Sequence, residues 1–120
     1  MPLISIVDDD ESVRNALKSL IDSVGFRAEV FDSGEKFLNS PLLSQTDCLI
    51  TDVRMPGMSG LELQDRLSAA GRSIPIVFIS AHDDNEARAR GLRAGAIDFL
   101  QKPFSEDSLL GAISVCLDKS

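Results

Sequence analysis

The chain has 120 residues, of which 43% are hydrophobic and 26% charged. That is room for one domain, residues 1–120, and its ordinary globular composition sets aside disorder, collagen-like repeats and coiled coil. Twelve basic residues against 19 acidic ones give a net charge of −7, a surface that repels phosphate backbones, so direct binding of DNA or RNA by this chain is not expected.

Other absences narrow the class further. The two cysteines, Cys48 and Cys116, form no C-x-x-C pair. Neither a zinc site nor a disulfide framework is indicated, which fits a reducing, cytoplasmic setting. No apolar run approaches the roughly 20 residues needed to span a bilayer, so no membrane association is expected. The N-terminal segment lacks the basic region of a signal peptide and meets Asp8 almost at once. Trp and Tyr are absent, which removes the usual stacking platforms for bases, flavins or sugars.

In chain order, Leu3-Ile4-Ser5-Ile6-Val7 reads as a buried strand ending in acids. Val13, Ala16, Leu17, Leu20, Ile21 and Val24 follow at helical spacing, and Gly25 is a stop. Arg27 to Phe31 is a weaker second strand. Asp32-Ser33-Gly34-Glu35 opens a short helix carrying Phe37 and Leu38. Cys48-Leu49-Ile50-Thr51 is a third strand running straight into Asp52, followed by the loop Arg54-Met55-Pro56-Gly57-Met58. Ser59 and Glu62 have the spacing of a capping box before Leu61, Leu63 and Leu67. Ile74 to Ile79 is the fourth strand. Asp83 and Glu86 repeat the capping-box spacing and open a helix ending near Gly95. Ala96 to Leu100 is the fifth strand, broken by Lys102-Pro103. Ser105 starts a last helix carrying Leu109, Leu110, Ile113, Val115 and Leu117.

Five strand–helix units in strict alternation predict an α/β fold. Continuous apolar strands point to a parallel sheet covered by helices on both faces. Open sheets of this kind bind ligands at the carboxyl ends of their strands. Here those ends carry Asp8-Asp9-Asp10, Asp32, Asp52, Ser80 and Lys102. If the first and third strands are neighbours, Asp8, Asp9 and Asp52 converge. With Lys102 they sum to −2, a costly cluster unless a cation sits among them. Mg²⁺, a hard divalent ion that takes oxygen ligands, neutralises it.

Taken together, Val7-Asp8-Asp9-Asp10-Glu11, the run Thr51-Asp52-Val53-Arg54-Met55-Pro56-Gly57-Met58-Ser59-Gly60, Ile79-Ser80-Ala81-His82 and the run from Asp98 to Phe104 with Lys102-Pro103 are specific. The chain resembles, over nearly its whole length, the receiver domain of bacterial two-component response regulators, closest to FixJ-like transcription factors. The resemblance implies the flavodoxin-like (CheY-like) architecture: five parallel strands in the order 2-1-3-4-5, with five helices on both faces. It implies that Asp52 accepts a phosphoryl group from a histidine of a sensor kinase, giving an acyl phosphate. It also implies that Asp9 is a direct Mg²⁺ ligand, that Asp8 holds the ion through water, and that the Arg54 backbone carbonyl completes the protein ligands. The Arg54 side chain then matters little for the metal. Ser80 and Lys102 correspond to the hydroxyl and ammonium that contact phosphoryl oxygens, and Lys102–Pro103 to a bond often cis in the family. Phe99 corresponds to the switching aromatic, rotating from an exposed to a buried rotamer as Ser80 moves.

Taken singly, each residue has a plainer role. An Asp after a strand is ordinarily a turn or cap residue, and Asp10 and Glu11 are assigned that part. His82, the only histidine, carries no chemistry in this reading, and Arg88, Arg90 and Arg93 are a solvated face or a partner surface. Two other classes fit less well. An aspartyl phosphohydrolase needs a general acid two residues after its nucleophile, where this chain has Arg54. A flavin or nucleotide carrier needs a phosphate loop where Asp8-Asp9-Asp10 stands. The expectation is a signalling switch, not a metabolic enzyme. Its partners are a sensor histidine kinase, a second copy through the face of the fourth helix, fifth strand and fifth helix, and an output domain, DNA-binding by resemblance, that is absent from this chain. The alternative is a stand-alone receiver controlling a protein partner.

Overall fold

The computed structural model describes residues 2–119; Met1 and Ser120, the two ends of the expected domain, lie outside the described residues. The strands are β1 (Leu3–Val7), β2 (Arg27–Phe31), β3 (Cys48–Asp52), β4 (Ile76–Ser80) and β5 (Asp98–Gln101). The helices are α1 (Glu11–Ser23), α2 (Gly34–Leu38), α3 (Gly60–Ala69), α4 (Asn85–Arg93) and α5 (Glu106–Lys119). A 3₁₀ turn at Pro41–Gln45, unforeseen in the sequence, joins α2 to β3. All strand pairs are parallel, in the order β2-β1-β3-β4-β5. No helix among the described residues is long and apolar enough to cross a membrane.

Burial explains the strand patterns. Every residue of β1, β3 and β4 is buried, whereas β2 and β5, at the sheet edges, mix buried and exposed positions. One core packs Ile4, Ile6, Ile50, Val77 and Ile79 against Leu17 and Ile21 of α1 and Leu109 and Ile113 of α5. The other packs Val7, Leu49 and Phe78 against Phe37 of α2, Leu63 and Leu67 of α3 and Ala87 of α4. Alternate strand residues point to opposite faces, so each central strand feeds both cores. Three residues expected on apolar stripes lie outside: Ala16 is on the outer face of α1, Val24 caps α1 and is exposed, and Val115 is on the outer face of α5.

Chain ends and caps differ from expectation in small ways. The α1 cap is Asp10, which accepts the Ser12 N–H at 2.8 Å, and Gly25 turns the chain with φ +92°. The Ser59–Glu62 capping box is present in both directions. At α4 the cap is Asp84, one residue later than expected, accepting the Ala87 N–H. Glu86 then falls one position too early for a reciprocal box. β4 begins at Ile76, because Pro75 has no N–H to donate to a ladder. It extends through Ser80, and β3 likewise includes Asp52. β5 starts two residues late, at Asp98.

From β1 the chain steps to β2 on one side, then crosses to β3 on the other. The first and third strand ends therefore flank the switch point of the sheet, where a crevice forms. The register pairs Val7 with Thr51 and Asp52 with Ile79, and Ser80 with Gln101. Asp8, Asp52, Ser80 and Lys102 thus line up along one edge of the sheet.

Candidate functional site

The topology brings the acids together as the sequence requires. Carboxylate oxygens of Asp8, Asp9 and Asp52 lie within 4.8 Å of one another. Asp8 is fully buried, Asp52 is 8% exposed, and Asp9 is exposed. Lys102 reaches in from the end of β5, its Nζ 3.4 Å from Asp8 Oδ2 and 3.9 Å from Asp52 Oδ2. The Lys102–Pro103 bond is cis. The Lys102 N–H donates to the Ser80 carbonyl at 2.7 Å, holding the chain beside β4.

Backbone close packing fixes the Asp52 loop. The Gly60 N–H donates to the Val53 carbonyl at 2.9 Å, and a side chain at Gly60 would overlap the Asp52 carbonyl. This is the physical reason for glycine eight residues after Asp52: only a bare Cα lets α3 start against the strand end. Met55 and Met58 are buried beneath the same loop. On the other side, Asp8 Oδ1 accepts the Asp10 N–H at 2.9 Å, while the Asp8 carbonyl accepts from Arg14 Nη1 at 2.7 Å.

The electrostatics are those of a cluster short of positive charge. Burial raises the Asp52 carboxyl above its ordinary value, and the neighbouring Asp8 charge raises it further; Lys102 and the amides of Arg54 and Val53 pull it back. Burial raises Asp8 as well, opposed by the Asp10 amide and Lys102. Asp52 Oδ1 is buried and has no hydrogen-bond partner among the described residues. An anionic oxygen in that condition calls for a cation or a donor. The donor set, carboxylates with the Arg54 carbonyl nearby in sequence, suits a hard divalent ion.

Ser80 is fully buried, and its hydroxyl donates to the His82 carbonyl and accepts the His82 N–H, each at 3.1 Å. It is therefore engaged with its own loop. Phe99, expected to start exposed, is buried: its ring lies 6.2 Å from that of Phe78, and the Arg88 guanidinium sits 5.9 Å above it. Asp32 does not join the site; it is exposed and pairs with Lys36 at 3.0 Å. The expected basic face of α4 is partly spent inside the molecule, since Arg90 pairs with Asp65 at 2.6 Å and Arg88 donates to the Phe99 carbonyl.

Two contacts were invisible in the sequence. Arg54 Nη2 donates to Asp84 Oδ2 at 2.6 Å. The Asp84 carboxyl is held below its ordinary value, first by the Ala87 amide and also by this guanidinium. Cys48 and Cys116, 68 positions apart by numbering, meet in the core as free thiols, and their contact together with burial pushes the Cys48 thiol far up.

A parallel sheet in this order, with acids, hydroxyl and lysine on its carboxyl edge, defines the class of receiver domains. Residues 4–114 match the family described as the response regulator receiver domain. The response regulator protein TmoT of Ectopseudomonas mendocina is 50% identical over 115 residues, covering 96% of this chain and 52% of that protein. The transcriptional regulatory protein FixJ of Bradyrhizobium diazoefficiens is 38% identical over 110 residues, covering 92% and 54%. Among solved structures, the response regulator StyR superposes with a TM-score of 0.91 at 50% identity, covering 98% of this chain and 59% of that one. The FixJ-N structure gives 0.89 at 34%, covering 98% and 94%. The chain belongs to the response regulator receiver domain family, and its likeness to TmoT and FixJ is consistent with a phosphorylation-activated signalling switch. It spans about half the length of the curated relatives it matches.

Proposed function

We propose that Asp52 is the phosphoacceptor of this switch and that Asp8, Asp9 and the Arg54 carbonyl, with Asp52, form its Mg²⁺ site. The observation that carries this is the unpartnered buried Oδ1 of Asp52, set among two further carboxylates and one lysine. An Asp52 oxygen attacks the phosphorus of a phosphohistidine. An O–P bond forms, the P–N bond breaks, and its electron pair leaves on the imidazole nitrogen. Phosphoryl transfer asks the protein mainly for alignment and neutralisation of charge. Lys102 supplies a point charge within reach of both Asp8 and Asp52. Ser80 supplies a compact donor once its hydroxyl turns from His82. Bound Mg²⁺ offsets charge on both the carboxylate and the transferred group.

The donor is a sensor histidine kinase, and the product is a conformational state, not a released metabolite. Residues 1–120 form the receiver unit, working in the cytoplasm. Its readout runs from Ser80 to Phe99 and the face of α4, β5 and α5, which meets a second copy or an output domain, a transcriptional one by likeness to FixJ. Incubation with acetyl phosphate and Mg²⁺ tests the assignment. Wild type gains one acid-stable, base-labile phosphoryl group, and Asp52→Asn gains none. Labelling of the Asn variant to the wild-type extent would overturn it.

A further inference from the structure

Helix α4 is held unequally along its length. Its C-terminal half is pinned. A Cβ at Gly91 would lie 2.8 Å from the buried Phe78 ring, Gln64 Nε2 donates to the Gly91 carbonyl at 3.0 Å, and Arg90 pairs with Asp65. Its first turn faces the phosphoacceptor loop across a cleft lined by Val53, Met55, Leu61 and Ala87. One carboxylate spans that cleft. Asp84 Oδ1 accepts the Ala87 N–H and caps the helix, while Asp84 Oδ2 accepts from Arg54, two residues beyond Asp52. The side chain of Asp84 is 21% exposed and that of Arg54 59%, so the pair is a surface bridge held at its carboxylate end by the helix cap.

We propose that Arg54 is a positioning residue whose side chain couples the phosphoacceptor loop to the first turn of α4, the Arg54–Asp84 pair acting as a strap across the mouth of the site. This rests on the reading of Asp52 as phosphoacceptor. The Arg54 backbone belongs to the loop that must adjust when Asp52 is loaded. Its guanidinium carries that adjustment to the carboxylate that caps α4. The pinned half of the helix then acts as the fulcrum and the first turn as the moving end.

The test uses ¹⁵N-labelled protein saturated with Mg²⁺ and beryllofluoride. The readout is the shift of the Asn85–Arg88 amides relative to the shift of amides beside Asp52. Asp84→Asn keeps a capping side chain but removes the charge. It is expected to respond normally beside Asp52 while the α4 response falls roughly two- to fivefold, the size an ion pair of this exposure supports. Arg54→Gln gives a similar fall, Arg54→Lys restores most of the response, and the double variant Arg54→Gln/Asp84→Asn is no worse than either single change. A full α4 response in both single variants, or additive losses in the double variant, overturns the strap. No response beside Asp52 in wild type overturns the phosphoacceptor reading and the strap with it.

Discussion

Asp52 is an acid kept where its charge is disfavoured. Its carboxyl is raised by burial first and by Asp8 second. A folded-state pKa above the unfolded one means that the native state holds its proton more tightly. Its stabilising share is complete below the ordinary value of 3.8 and is lost as pH rises through the folded value. With the metal absent, that share is lost as pH rises, a cost that an amide avoids. Asp52→Asn is expected to gain about 1 kcal/mol at pH 7, some ~4 °C in Tm, with EDTA present. The gain should shrink toward pH 4, and calorimetry at both pH values checks it. Lys102 and Asp8 show how a residue's role depends on company: each alone reads as a surface charge or a turn, and 3.4 Å of separation makes them a pair.

Elements were legible where their signal is local. The capping box at Ser59 and Glu62 and the glycine after α1 are short-range grammar, and both hold. The α4 cap moved from Asp83 to Asp84, because either acid can cap a helix by itself and the ion pair to Arg54 favours the second. Strand ends shifted by one or two residues because ladder hydrogen bonds, not hydropathy, set them. Helical glycines give a paired prediction. At Gly111 on α5 nothing lies within 4 Å of an added Cβ, so Gly111→Ala should stabilise by about 0.5–1 kcal/mol. At Gly91 the added methyl meets the fully buried Phe78 ring. The same change there should cost a net ~1 kcal/mol, overpacking exceeding the gain in propensity. Urea unfolding of both variants measures the two signs.

At the scale of the whole molecule, the sheet spends stability to assemble its site. Three carboxylates are drawn together on a chain of net charge −7, and a divalent ion bound to the native state should return that stability by mass action. At [Mg²⁺] ten times the Kd the gain is ~1.4 kcal/mol. Asp9→Ala should lose most of the Mg²⁺-dependent rise in Tm. Asp10→Ala should keep it while lowering the baseline by ~1 kcal/mol, since Asp10 caps α1. Equal loss of the Mg²⁺ response in the two variants would remove Asp9 from the ligand set.

The sequence by itself determined the alternation of strands and helices, the parallel sheet, and the residues at its carboxyl edge. Those follow from periodicity and from residue types at chain breaks, which are properties of neighbours along the chain. The tertiary structure decided which edge residues meet, by setting β1 beside β3, the condition on which Asp8, Asp9 and Asp52 were expected to converge. It excluded Asp32, which pairs with Lys36, and it buried Phe99 beneath Arg88. It also joined Arg54 to Asp84 across 30 positions and set Cys48 against Cys116. Long side chains choose partners by distance through space, and no local pattern records that distance. It is set only when strand order and helix packing have been fixed.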